Sequence, residues 1–285
     1  MKIATLKHGG TTRAAKLNDA GTEAVLLKRA DGTPLATLKD YILARGEAHE
    51  DGAPVAVTPA MFAAPIPLPS RNVFCVGKNY ADHARELSLS GAQEDLPEYP
   101  IIFTKVPDAV IGPGDAILVD ASVSTAIDYE AELAVIIGTG GRNISKADAM
   151  RHVWGYTILN DVTARDIQRR HNQWHLGKSQ DTSCPMGPWA VTADALDLNN
   201  TGVRCFVNGE KRQDGNTHDF IFDIPTIIAT LSFGITLKPG DIIATGTPSG
   251  VGAASNPPKF LKPGDTVRVE IDGIGALENP VAAWG

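Results

Sequence analysis

The sequence predicts a mixed α+β protein whose main body is a rolled or barrel-like set of sheets, preceded by a small β-rich unit. Two observations carry this. The tripeptide Pro-Gly-Asp occurs at 113–115, 239–241 and 263–265, and each copy runs into an apolar stretch: AILVD, IIATG and TVRVEID. Glycine and proline are also frequent, with 28 and 19 residues, and they recur at short intervals in the second half. That is the pattern of short strands joined by tight turns, and not of alternating strand–helix units.

Residues 1–68 read as the small N-terminal domain. MKIATLK and AVLLKR are strand-like, Asp31-Gly32 and Asp51-Gly52 are turn signals, and a short helix or loop is expected around 38–50. PIPLPS (65–70) is a stiff crossing into the main domain, 69–285. That domain opens with a strand in RNVFCVGKNY (71–80), followed by a helical stretch, DHARELSL (82–89). A polar, proline-marked segment, SGAQEDLPEYP, with the composition of a mobile loop, leads to a short strand, IIFTK (101–105). Helices are expected over SKADAMRHV (145–153), with Ser145 as N-cap and Asp148 three residues on, and over TARDIQRRHNQ (163–173). A further helix is expected over IPTIIATLSFG (224–234), with its proline in the first turn and Gly234 as its end.

Composition removes several function classes. The net charge of −7 opposes binding to a phosphate backbone, so nucleic acid is not an expected partner. No run of about 18 apolar residues is present, so no membrane span is expected. The N-terminus lacks a secretory pattern, and Cys75, Cys184 and Cys205 form no CxxC pair. A cytoplasmic protein with reduced thiols is expected.

The chemistry is concentrated in four segments. In IDYEAELAVIIG, Glu130 and Glu132 are two residues apart, which on a strand places them on one face. Two neighbouring carboxylates in an otherwise apolar strand are costly unless a cation lies between them; the competing reading is a solvated strand face. Asp161, at the end of a predicted strand in WGYTILNDVTARD, is available as a third acid, or as the N-cap of the helix that follows. Three carboxylates with no His or Cys cluster point to a hard cation, Mg²⁺ or Mn²⁺. His171 and His175 are four apart and would make a zinc pair only on a continuous helix; no HExxH accompanies them.

His83 and Glu86, three apart in NYADHARELS, share a helix face. A carboxylate that orients an imidazole suits general-base work, and a surface pair is the alternative. Lys178, in HLGKSQDTSCPMGP, would stabilise negative charge on an oxygen or donate a proton if it lies beside the metal. Arg165 and Gln168 stand on the preceding helix, where Gln168 would hydrogen-bond substrate oxygens. In ATGTPSGVG, Thr247 and the N–H groups around Gly246 would hold a substrate carboxylate; an unliganded turn is the alternative.

VGKNYADHARE, DYEAELAVIIG, NDVTARDIQRR with GKSQDTSCPMGP, and PGDIIATGTPSGVG stand in the order and approximate spacing of the fumarylacetoacetate hydrolase superfamily, which the chain resembles from about residue 70 to residue 281. The resemblance implies a β-roll catalytic domain, usually as a homodimer, behind a variable N-terminal domain. It implies that Glu130, Glu132 and Asp161 hold Mg²⁺ or Mn²⁺, and that His83 and Glu86 form a dyad on a lid helix. It places Lys178 beside the metal, and Gln168, Thr247 and Lys105 against a small 2-oxo acid substrate. The expected chemistry passes through a metal-stabilised enolate. Hydrolysis of a C–C bond in a 3-acylpyruvate is expected first. Decarboxylation or keto–enol tautomerisation of oxaloacetate comes next, and then isomerisation of a 2-hydroxy-dienedioate.

Overall fold

The computed structural model describes residues 1–86 and 96–285. Among them, two sheets hold seventeen of the nineteen strands. The larger has twelve strands, and its main path runs Ala48–Ala56, Glu23–Arg29, Thr11–Leu17, Lys2–His8, Cys184–Thr192, Val153–Asn160, Ala131–Ile137, Ile242–Ala244, Val73–Gly77, Ile101–Lys105. Neighbours on this path are antiparallel except Ile242–Ala244 and Val73–Gly77, which run parallel. The smaller sheet orders Glu210–Asn216, Gly202–Val207, Thr266–Ile271, Gly275–Ala283 and Ile117–Val119. The fold is thus mixed α+β and strand-rich, with few and short helices. The N-terminal strands are continuous with the larger sheet, because Lys2 and Ile3 pair with Val191 and Ala190. No helix among the described residues is long and apolar enough to cross a membrane.

All three Pro-Gly-Asp turns deliver the strands expected of them, by one device. Gly114, Gly240 and Gly264 adopt φ of 77°, 84° and 95°, a region that glycine enters without a steric penalty. The following aspartate then accepts the backbone N–H three residues back: Gly112 to Asp115 at 2.8 Å, Lys238 to Asp241 at 2.6 Å and Lys262 to Asp265 at 2.9 Å. Each turn closes on itself and launches the next strand.

The strand Ala131–Ile137 organises the core. Leu133, Val135 and Ile137 face a hydrophobic cluster shared with Val203, Val267 and Val269 of the smaller sheet. Ala134 and Ile136 face a second cluster that contains Ile3, Ala190 and Ala244. By the two-residue period, Glu132 and, just before the strand, Glu130 continue the second face. A strand covered on both sides therefore carries acids at its N-terminal end, out of reach of bulk water.

Four local expectations are corrected. Residues 145–153 form no α-helix: the Ser145–Asp148 cap is present, with Asp148 N–H donating to Ser145 Oγ at 3.2 Å, but only a 3₁₀ turn, Ala149–His152, fits before Val153 enters the sheet. Thr163–Ala164 is a short strand paired with Ile127–Asp128, so the next helix is Arg165–Arg170 and Asp161 does not cap it. That helix ends before His171, and a separate one, His175–Lys178, follows, so no histidine pair shares a helix face. Asp51-Gly52 makes a bulge within Ala48–Ala56, where the register against Glu23–Arg29 shifts, in place of a hairpin turn. The C-terminal helix is Ile224–Ser232, capped by Asp223, which accepts from Thr226 N–H at 2.8 Å. Of the helix expected over 82–89, the described part is Ala81–Glu86; the rest, and most of the polar stretch after it, lies outside the described residues.

Candidate active site

The three acids meet at the ends of adjacent strands. In the ladder between Ala131–Ile137 and Val153–Asn160, Ala131 pairs with Asn160. The Asn160 side chain accepts Glu130 N–H at 3.0 Å, and Asp161 N–H donates to the Glu130 carbonyl at 2.9 Å. Register therefore delivers Asp161 to the two glutamates. One ligand atom from each of Glu130, Glu132 and Asp161 lies within 4.8 Å of the others. The residues are 4%, 1% and 0% exposed, which eliminates the solvated strand face.

Cations are distributed unequally among them. Lys178 Nζ donates to Glu130 Oε2 and Asp161 Oδ2, each at 2.7 Å. Lys105 Nζ donates to Asp161 Oδ1 at 2.8 Å and to the carbonyls of Val162, at 3.0 Å, and Lys178. Arg165 lies with Nη2 2.7 Å from Glu130 Oε1. Burial raises the pKa of Glu130, but Lys178 and Arg165 outweigh it and hold the carboxyl well below the usual range. Glu132 has no such ion pair among the described residues. Burial, and then repulsion from Asp161 and Glu130, lift it well above its ordinary value, and its one described hydrogen bond is from Gly246 N–H at 2.7 Å. A buried carboxylate short of positive charge, beside two others in an all-oxygen donor set, fits a hard divalent cation. Lys178 stays charged: burial lowers its pKa, but Asp161 and Glu130 more than restore it.

The dyad is built as a relay of hydrogen bonds. Asn79 pins the chain ahead of it by donating to the carbonyls of Thr245 (2.8 Å) and Phe222 (3.1 Å) and accepting from Phe222 N–H (2.8 Å). On the helix that follows, His83 Nδ1 lies 2.8 Å from Glu86 Oε1, and Glu86 Oε2 accepts Gly250 N–H at 2.8 Å. His83 is 4% exposed, so this is no surface pair. Its ring lines a cavity of about 260 Å³, together with Glu130, Glu132, Lys178, Arg165, Gln168 and Thr247.

Three residues expected against substrate are engaged elsewhere. Lys105 is 0% exposed behind Asp161 and does not line the cavity. The Gly246 amide is donated to Glu132, so it holds a carboxylate of the protein itself. Thr247 does line the cavity, but its hydroxyl donates to the Ala131 carbonyl at 2.9 Å and accepts from Gln213 Nε2 at 2.7 Å.

Sequence reasoning missed Asp128. Fully buried, it accepts Tyr129 N–H (3.0 Å) and Gly252 N–H (2.7 Å) on Oδ1, and Ala253 N–H (3.0 Å) and Arg165 Nε–H (2.8 Å) on Oδ2. It fixes the guanidinium that reaches Glu130, whose other end bonds Gln168 Oε1 at 3.1 Å. Gln213 and the aromatic wall formed by Phe103 and Trp174 were missed as well.

The profile of the family described as "Fumarylacetoacetate (FAA) hydrolase C-terminal" matches residues 72–282. Oxaloacetate tautomerase YisK of Bacillus subtilis (strain 168) is 54% identical over 219 residues, which cover 76% of this chain and 72% of that one. Among solved structures, the fumarylacetoacetate hydrolase of psychrophilic Exiguobacterium antarcticum superposes with a TM-score of 0.86 at 41% identity, covering 100% of both chains. The 5-carboxymethyl-2-hydroxymuconate delta-isomerase of Mycobacterium smegmatis gives 0.80 at 34% identity, again over 100% of both. The chain belongs to the fumarylacetoacetate hydrolase family, a family of enzymes.

Proposed function

We propose that this member of the fumarylacetoacetate hydrolase family is a divalent-metal-dependent tautomerase that interconverts the keto and enol forms of oxaloacetate. The observation that carries the reading is the 54% identity to an oxaloacetate tautomerase across the segment that holds the site. It reverses the order expected from sequence, in which C–C hydrolysis of an acylpyruvate came first. The small cavity agrees with a four-carbon substrate better than with a long acyl chain.

Tautomerisation needs only proton transfer. The C3–H bond breaks, its electron pair becomes the C2=C3 double bond, and the carbonyl π pair moves onto O2, which takes a proton. Mg²⁺ or Mn²⁺, held by Glu130, Glu132 and Asp161, would supply the positive charge that favours the enolate form over the ketone. His83, with Nδ1 turned to Glu86, presents Nε2 to the pocket as the group that takes the proton from C3 and delivers it to O2, and does the reverse for ketonisation. The carboxylate of Glu86 stabilises the imidazolium formed in between. Lys178 offers an ammonium hydrogen-bond donor to oxygen. With its Oε1 given to Arg165, Gln168 has its amide N–H₂ left for the substrate carboxylate.

The test is to add enol oxaloacetate to the Mg²⁺-supplied protein and follow the loss of enol absorbance, with pyruvate release from acetylpyruvate measured in parallel. Accelerated enol loss with little pyruvate is expected. Rapid pyruvate release from acetylpyruvate without enol conversion would restore the hydrolase reading. A second reading, isomerisation of a 2-hydroxy-dienoate, is favoured by the similarity to the muconate isomerase and uses the same proton transfer. Turnover of such a diene with oxaloacetate left inert would establish it.

A further inference from the structure

Val76, Gly77, Phe103 and Trp174 supply the cavity's apolar lining, and this wall has an unusual construction. Gly77 ends the strand Val73–Gly77 in ordinary extended geometry, and no left-handed φ demands a glycine there. Space demands it: a Cβ at this position would stand 2.4 Å from Trp174 Cζ3 and 2.9 Å from its Cη2. The indole also packs edge-on against Phe103, with ring centroids 5.4 Å apart at 64°. Its own segment is held just as closely. Trp174 precedes the helix His175–Lys178, and a Cβ at Gly177 would lie 2.6 Å from the Gln168 amide nitrogen and 2.9 Å from the Ala164 carbonyl oxygen. The ring therefore has little freedom to withdraw, while Lys178, on the same short helix, is tied to Glu130 and Asp161. Gly77, Phe103 and Trp174 all line the cavity that holds His83 and the two glutamates.

We propose that Trp174, seated on Gly77 and Phe103, is the specificity-determining wall that limits this site to short 2-oxo acids. The inference rests on the reading of this cavity as the substrate site and deepens it by naming the substrate class. Once the 2-oxo carboxylate end lies over the acids, the chain beyond C3 shares a cavity of about 260 Å³ with this wall. Ligand pockets commonly offer roughly 300–1,000 Å³. A rigid aromatic wall rejects added methylenes because neither it nor its backing can collapse to make room.

The experiment is calorimetric titration of the full-length, Mg²⁺-loaded protein with straight-chain 2-oxo acids, from pyruvate through 2-oxobutyrate to 2-oxooctanoate. Wild-type affinity is expected to fall as the chain lengthens. In Trp174→Ala, the ratio of long-chain to short-chain affinity should rise about tenfold or more, the scale on which a pocket discriminates a methylene. Trp174→Phe, which keeps the contact with Phe103, should shift the ratio part of the way and carries the test if alanine loosens the fold. Gly77→Ala should push the ring inward and move the cut-off to shorter acids. A length dependence that is flat in the wild type, or identical in all variants, overturns the proposal, as does failure of any 2-oxo acid to bind. If the length series behaves as stated and the wild type does not convert enol oxaloacetate, the tautomerase reading falls and the wall stands.

Discussion

Asp128→Asn is the sharpest test of how the site is supported, because the replacement keeps shape and removes only charge and acceptor capacity. The carboxylate accepts two N–H groups on each oxygen. An amide has one oxygen. If it faces Tyr129 and Gly252, its N–H₂ is turned against the donors of Ala253 and Arg165; the opposite rotamer strands Tyr129 and Gly252 instead. Two buried donors lose their acceptor, at about 1–3 kcal/mol each. Arg165, 2% exposed, also loses one of its two carboxylate partners. Breaking one side of a buried ion pair costs about 3–5 kcal/mol in total, and a chain of this size loses roughly 2–4 °C of Tm per kcal/mol. A fall in Tm on the order of 10 °C is therefore expected by calorimetry. The Mg²⁺-supplied variant should also lose kcat well below its melting temperature, since Arg165 no longer holds Glu130 in register. A Tm within about 2 °C of wild type would mean that the network tolerates a donor-to-donor contact, and that its geometry is not what positions the guanidinium.

Two other outcomes follow from single contacts. Glu86→Gln cannot serve both His83 and Gly250, so kcat for enol conversion should fall about 10²-fold, with KM changed far less; steady-state kinetics at substrate saturation reads this, and an unchanged kcat would remove the dyad from the mechanism. The three thiols should be silent to Ellman's reagent in the native protein and all react in denaturant. Each is 0% exposed, and burial pushes Cys184 up to about 12 and holds Cys75 and Cys205 well above the usual thiol range, so the reactive thiolate is disfavoured at neutral pH.

Much of this site could be read from local pattern, and what could not was made by distance along the chain. Glu130 and Glu132 declared themselves by strand periodicity, and His83 and Glu86 by helical spacing, because both signals lie within a few residues. The same two-residue period also contained Asp128, in D-Y-E-A-E. Its role was invisible because its partners lie 37 residues away at Arg165 and 124 and 125 away at Gly252 and Ala253. Lys105 illustrates the converse. The family resemblance implied a substrate contact at this lysine, yet in three dimensions the strand Ile101–Lys105 delivers it to the rear of Asp161. Gly77 carried no turn signal at all, since what requires it is an indole 97 positions later in the sequence. The helix expected at 145–153 shows the limit of capping signals, which mark where a helix can begin but not whether the sheet leaves it room.

The charges of the site also set the order in which ligands enter it. Among the described residues, the buried centre holds four carboxyl groups, Asp128, Glu130, Glu132 and Asp161, against three basic groups, Lys105, Arg165 and Lys178. With all four ionised, one unit of negative charge is left over, and it falls on Glu132, which has no ion pair among the described residues and whose raised pKa reflects the cost of carrying that charge. With Glu132 ionised, this buried centre repels an anionic 2-oxo acid, against the attraction of Lys78 and Arg169, which also line the cavity. A divalent cation reverses the sign of the whole centre, from one negative to one positive. Binding is then expected to be ordered. Pyruvate titrated into EDTA-treated protein should give no measurable heat, and the same titration after addition of Mg²⁺ should give saturable binding. Glu132→Gln, which removes the surplus negative charge together with a ligand, should bind pyruvate weakly but with little dependence on Mg²⁺. Equal pyruvate affinity with and without Mg²⁺ in the wild type would show that Lys178 and Arg165 already suffice for the substrate carboxylate, and that the surplus charge on Glu132 does not control entry.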